Sequence, residues 1–299
     1  MQRWPAASFH DPPIAMRSRT TISPELREWI LATTRAGHGV AEVLRLMKEH
    51  GYDPRQSRSI VAEVLKLPLA TLLASTAGGA PQGLRTQHPE APEVRIDGHA
   101  IGVSLSVEAP ALRVLENILS TQECEELIAL ARPRLQRALT VDSEGRQQMD
   151  RRRTSEGMFF TLNEVPLVGR IEQRLAALLR VPASHGEGLQ ILHYLPGQAY
   201  EPHFDWFDPE QPGYGAITAV GGQRIASVVM YLNTPARGGG TAFPELGLTV
   251  TTRRGSAVYF AYEGGDPSSL HAGLPVLDGE KWIATKWLRE QPYKRPKKA

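Results

Sequence analysis

The stretch from Pro182 to about residue 290 limits the fold more than any other part of this 299-residue chain. Short apolar runs follow one another there, separated by turn residues: LQILHYL, AYEPHFDWF, RIASVVMYL, LTVTT, SAVYF, LPVL and KWIATKWL. Parallel strands need crossover connections of about a dozen residues or more, usually a helix. Seven runs within about 100 residues leave little room for such helices, which predicts an antiparallel sandwich or barrel. The 27 glycines and 23 prolines supply the turns without reaching a low-complexity composition.

Upstream, the texture is helical. Ser120 and Glu123 form an S-x-x-E capping box, with Cys124, Leu127, Ile128 and Ala131 following at helical spacing. A second helix is predicted over 165–180, with Val168, Ile171, Leu175, Leu178 and Leu179 as its apolar positions. Ser23-Pro24 reads as a helix start, and apolar stripes run through Trp29, Ile30, Val40, Val43, Leu44 and Met47, then Ile60, Val61, Val64 and Leu65, with Gly51 as the break. The expected division is a flexible arm at 1–20, a small helical region at 21–77, a linker at 78–98 and a main domain at 99–299.

A formal net charge of +2 argues against nucleic-acid partners, and the single Cys124 excludes an intrachain disulfide framework or a multi-cysteine zinc site. No apolar run approaches the ~20 residues that span a bilayer, and the first residues carry no apolar signal core. The expectation is a cytoplasmic protein without membrane contact.

The sharpest chemical feature is His203-Phe204-Asp205. Residues i and i+2 of a strand share a face, so a histidine and a carboxylate can reach one point. With His271 they make the two-histidine, one-carboxylate set of non-haem Fe(II) oxygenases, which leaves coordination positions open. Strand parity puts Lys281, Ile283, Thr285 and Trp287 on one face, Ser227, Val229 and Tyr231 on another strand's face, and Gln190, Leu192 and Tyr194 together on a third. If these faces line an interior, a cation and two phenols converge beside the metal. A buried lysine needs an anion, and a dicarboxylate chelating iron at one end would meet Lys281 at the other. His193, of opposite parity to Tyr194, is expected to be structural, and Cys124 to be core.

The stretches LHYLPGQAYEPHFDWF, GGQRIASVVMYLNTPARGGGTAFPE and SLHAGLPVLDGEKWIATKWLRE closely resemble the prolyl 4-hydroxylase branch of the Fe(II)/2-oxoglutarate dioxygenases. LENILSTQECEELIALARPRL and RRRTSEGMF resemble its amino-terminal part, so the likeness covers roughly residues 110–290. It implies an α+β fold: a double-stranded β-helix (jelly-roll, cupin-like) core over about 187–290, buttressed by helices, with a small α-helical region in front. It implies Fe(2+) held by His203, Asp205 and His271, with 2-oxoglutarate and O2 as co-substrates and ascorbate as a candidate reductant. Lys281 matches the residue that binds the distal carboxylate of 2-oxoglutarate, and Tyr194, Tyr231 and Trp287 match pocket positions. Gly240 departs from the glutamate often found in the GGxTxFP turn, a difference expected to stay local.

The resemblance implies a peptide or protein substrate containing proline. Arg152, Arg153 and Ser155 match a loop that covers such substrates, and Trp206, Trp282 and Tyr214 are candidate aromatic walls for a polyproline II chain. Two alternatives stay open: the same chemistry on a free amino acid or other small molecule, and a β-helix protein that binds metal without turnover. The first hundred residues could select the substrate, join two copies into a homodimer, or do neither.

Overall fold

The computed structural model describes residues 22–35, 40–66, 93–96, 98–108, 110–137, 139–141, 147–149, 154–251, 253–262 and 267–293. The expected arm, the apolar run 67–80, Arg152, Arg153 and the basic residues 294–298 lie outside them. Two compact units are formed, Met1–Thr76 and Ala77–Ala299.

In the first unit, helices Pro24–Arg35, Val40–Glu49 and Pro54–Leu65 bury Leu26, Ile30, Val43, Met47, Ile60, Val61 and Val64 together. Ser23 Oγ accepts from the Leu26 N–H at 3.2 Å, and Asp53 Oδ1 from the Gln56 N–H at 2.9 Å, so both helix starts are capped by side chains. Gly51, at φ +82°, turns the chain out of the second helix.

The second unit is built on strands. In chain order they are β1 (Glu93–Ile96), β2 (His99–Val107), β3 (Leu112–Glu116), β4 (Gln136–Arg137), β5 (Leu139–Val141), β6 (Gln147–Met149), β7 (Glu156–Phe160), β8 (Leu189–Tyr194), β9 (Tyr200–His203) and β10 (Arg224–Tyr231). There follow β11 (Arg237–Gly238), β12 (Thr241–Phe243), β13 (Leu248–Val250), β14 (Ala257–Ala261), β15 (His271–Gly273), β16 (Val276–Asp278) and β17 (Lys281–Arg289). A nine-stranded sheet runs β1-β2-β3-β14-β10-β17-β8-β7-β4 and a four-stranded sheet runs β13-β12-β15-β9. Ladders in both are antiparallel. The chain winds β8, β10, β14 and β17 into the large sheet and β9, β12, β13 and β15 into the small one, the path of a double-stranded β-helix.

All seven apolar runs became strands. The expected linker did not reach residue 98: Glu93–Ile96 pairs with β2 as an edge strand. Its four residues alternate charged and apolar side chains, and such an edge carries no continuous apolar run to announce it.

The large sheet buries both faces, as strand parity predicts. Ile191, Ala226, Val228, Met230, Trp282, Ala284 and Leu288 share one core with the apolar sides of helices Thr121–Ala131 and Pro166–Leu179. Leu192, Tyr194, Val229, Tyr231 and Ile283 share the other with Phe243 and Phe260. Ser120 Oγ accepts from the Glu123 N–H at 3.1 Å and Glu123 Oε2 from the Ser120 N–H at 2.9 Å, the capping box read from sequence. The same carboxylate takes both terminal nitrogens of Arg174 at 2.7 and 2.9 Å, clamping the two helices together. At Gly240, a Cβ would stand 3.0 Å from Thr249 Cγ2 and 3.2 Å from the Val250 carbonyl oxygen, so a side chain here would press closely on β13.

On the helix side, Lys286 of β17 donates to Glu172 Oε1 at 2.6 Å, with both side chains almost fully enclosed. Removing one partner of such a pair leaves a charge buried without compensation. Glu172→Ala is expected to lower stability by about 3–5 kcal/mol in urea unfolding, and adding Lys286→Met to it should recover most of the loss.

Candidate active site

The site lies between the two sheets, where β9 and β15 pair with His203 opposite His271. Their rings are 4.3 Å apart. Asp205 follows β9 by two residues and sits between them, with Oδ1 3.8 Å from His203 Nε2 and Oδ2 3.6 Å from His271 Nε2. One donor atom from each of the three lies within 4.8 Å of the others. His203 Nδ1 is 2.8 Å from the Glu201 carbonyl oxygen and His271 Nδ1 is 3.0 Å from that of Ser269. A carbonyl only accepts, so each Nδ1 carries the proton and each Nε2 turns a lone pair inward. That tautomer and that donor set fit a divalent transition metal such as Fe(2+).

Burial alone would raise the pKa of Asp205. In the metal-free site the positive charge of His271 and His203 in their protonated form, then Arg224 and the Ser227 hydroxyl, outweigh it and hold the carboxyl at about 2, so it stays an anion. Arg224 reaches the Asp205 backbone carbonyl with Nη1 at 3.2 Å, while its Nε and Nη2 grip Glu187 at 2.6 and 3.0 Å. The same guanidinium lies 4.0 Å from the ring centroid of Trp287, which fixes that indole against the cavity.

A cavity open to solvent begins at the triad and is lined by Leu192, Tyr194, Tyr200, Val229, Lys281 and Trp287 among others. Lys281 is paired in register with Tyr194, and its Nζ stands 5.3 Å from that ring's centroid. It is 2% exposed and makes no ion pair among the described residues. Burial pulls its pKa from 10.5 down to about 8. A buried cation facing three metal-type donors across an apolar cavity calls for an anion there.

The sequence-derived set is therefore mostly brought together: His203, Asp205, His271, Lys281, Tyr194 and Trp287 all line this cavity. Tyr231 does not. It is fully buried, and its hydroxyl donates to Thr241 Oγ1 at 2.8 Å, so Thr241 is the group that faces inward. Trp282 was expected as a substrate wall and is not one. It is 1% exposed on the helix side of β17, stacked on His193 at 4.2 Å, with the Arg132 guanidinium 4.9 Å from its ring centroid. Its even position relative to odd-numbered Lys281 dictates that face. Ser155 is fully buried just before β7, so it does not belong to an exposed substrate loop. Trp206 packs 5.3 Å from Phe204, which is 39% exposed, and is outside the cavity lining. His193 is structural, held by Glu280 at 2.8 Å, and Cys124 is enclosed with its thiol pKa pushed by burial to about 11.

Sequence reading missed Tyr200, whose ring stacks on His203 at 3.6 Å. Simple parity puts residues 200 and 203 on opposite faces. A register shift sets four residues of β9 (Tyr200 to His203) against three of β15 (His271 to Gly273), and this bulge brings the phenol round. Arg224 and Glu187 were also missed. The only signal for them is a pair of opposite charges 37 residues apart, which no local pattern connects.

The sequence profile of the 2OG-Fe(II) oxygenase superfamily matches residues 189–289. Probable prolyl 4-hydroxylase 3 of Arabidopsis thaliana is 41% identical over 209 residues, covering 62% of this chain and 71% of the relative. Prolyl 4-hydroxylase 1 of the same plant is 41% identical over 203 residues, covering 61% and 70%. Among solved structures, the viral collagen prolyl hydroxylase of Paramecium Bursaria Chlorella virus-1 aligns with 60% of this chain and 95% of its own, at 27% identity and a TM-score of 0.47. The chain belongs to the 2OG-Fe(II) oxygenase superfamily, in its prolyl 4-hydroxylase branch.

Proposed function

We propose that this protein hydroxylates prolyl residues of a peptide or protein, coupled to conversion of 2-oxoglutarate to succinate and CO2. One observation carries the co-substrate half of this reading: the enclosed, unpaired Lys281 ammonium across the cavity from three inward-facing metal donors. Iron, when bound by His203, Asp205 and His271, supplies the activation of O2 and the attack on an unactivated C–H bond. The protein's own part is binding and exclusion. Lys281 holds the distal carboxylate of 2-oxoglutarate, Tyr194 flanks it, and Leu192, Val229 and Ile283 accept the methylenes between its ends. Trp287, braced by Arg224, closes the wall nearest Asp205 and keeps bulk water from that side. For the prolyl substrate, the support is the likeness to the plant prolyl 4-hydroxylases, together with the exposed Phe204 ring and Trp206 beside the triad.

The direct experiment measures succinate formed from 2-oxoglutarate with Fe(2+) under air, with and without proline-rich peptides, using Asp205→Ala as the blank. Peptide-stimulated succinate that vanishes in the blank is the expected result. Turnover indifferent to peptides would move the substrate to a free amino acid or other small molecule, and no succinate from iron-loaded protein would favour a non-catalytic role.

Lys281 gives two more expectations. Loss of a charge-assisted contact to a carboxylate is worth about 1.5–3 kcal/mol, so Lys281→Ala should raise the KM for 2-oxoglutarate about 10- to 100-fold while leaving metal affinity unchanged. In the ligand-free protein the sign reverses. The folded-state pKa lies below the unfolded one, so the buried ammonium destabilises fully below pH 8, and the penalty fades as pH rises towards 10.5. Lys281→Met should therefore stabilise the empty protein by up to about 3 kcal/mol at pH 7, and by progressively less above pH 8, read from urea midpoints across that range.

A further inference from the structure

Behind the triad, two buried hydroxyl groups are chained to the Asp205 carboxylate, and the reaction as described leaves both without a task. Ser227 Oγ donates to Asp205 Oδ2 at 2.5 Å, and the Tyr262 hydroxyl lies 3.2 Å from Ser227 Oγ. All three side chains are enclosed: Ser227 is 0%, Asp205 6% and Tyr262 6% exposed. Ser227 has a single proton and gives it to Asp205, so at the second contact it accepts and Tyr262 donates. The direction of the chain is thereby fixed, from Tyr262 through Ser227 to one oxygen of one carboxylate. The other oxygen, Oδ1, accepts no hydrogen bond among the described residues and faces His203 Nε2 at 3.8 Å.

A carboxylate is symmetric about its C–C axis and can offer an ion one oxygen or both. With two histidines, one oxygen leaves three of six positions open, and both oxygens leave two. A co-substrate that chelates through two atoms and a reaction that also needs O2 require all three. We infer that Ser227, held by Tyr262, is a positioning residue that reserves Oδ2 and limits Asp205 to a single ligand oxygen, keeping the third position open. This rests on the metal reading of the site given above. Ser227 holds its place because β10 pairs it in register with Trp287 of β17 and Phe260 of β14, between two strands that cannot shift separately.

The test uses the full chain with Mn(2+) in place of iron under strictly anaerobic conditions, and counts the waters on the ion from water-proton relaxation, before and after saturation with 2-oxoglutarate. Wild-type protein is expected to keep one water on the ion in the 2-oxoglutarate complex. In Ser227→Ala the freed oxygen joins the ion, so the relaxation enhancement falls by about a third without 2-oxoglutarate and by nearly all of its value with it. Ser227→Thr restores the wild-type values, and Tyr262→Phe gives a smaller fall, because the serine keeps its bond to Asp205. A purely structural serine would lower Mn(2+) affinity and Tm while each bound ion keeps its wild-type water count, which overturns the inference. So does a wild-type water count in Ser227→Ala with affinity and Tm unchanged. If Ser227→Ala does not fold, a wild-type water count in Tyr262→Phe overturns it instead. Wild-type protein that takes up no Mn(2+) would bring down the metal reading itself, a result distinct from any of these.

Discussion

Strand β17 buries an ammonium on each of its faces, and the contrast between the two organises the molecule. Lys286, on the helix side, meets Glu172 and is satisfied within the fold. Lys281, on the cavity side, meets no counter-charge among the described residues. A protein does not keep an enclosed, unpaired cation at no cost, so the fold is complete on one face and waiting on the other. The five-residue spacing between the two lysines places them on opposite faces, and the same alternation sends Trp282 to the helices and Trp287 to the cavity.

The rest of the site is arranged around that deficit. The two histidines are oriented by backbone carbonyls two residues before them in sequence, so the inward lone pairs depend on local chain geometry rather than on distant side chains. Asp205 is held from three directions, by Arg224 on its carbonyl, by Ser227 on one oxygen and by the electrostatic pull of both histidines. Arg224 in turn carries Glu187 and Trp287. Rigid β-ladders supply the first layer of this order, and a few buried polar contacts supply the second.

Much of this was legible in the sequence because it rests on short-range rules. The strand runs, the capping box at Ser120, the helix over Pro166–Leu179 and the face assignments of β8, β10 and β17 follow from spacing alone. What was not legible breaks or exceeds those rules. Tyr200 reaches His203 through a bulge that defeats two-residue parity, and the edge strand Glu93–Ile96 has no apolar run. Tyr231 sits on the right face, yet its hydroxyl is taken by Thr241, a contact set by how the two sheets meet. Trp282, a candidate wall for a polyproline II chain, belongs instead to the helix-side core, the face that alternation along β17 gives it.

The bulge in β9 has a consequence for how chains of this kind can vary in length. From Tyr200 to His203 the residue count is tied to the partner strand, so an inserted or deleted residue there would rotate either the stacking phenol or the histidine out of the centre. Beyond Asp205 the tie ends, and the chain leaves the ladder until β10 begins at Arg224. Gain and loss of residues in a lineage should therefore be tolerated between about 208 and 213, ahead of the short helix Tyr214–Thr218, and be rare from Tyr200 to His203.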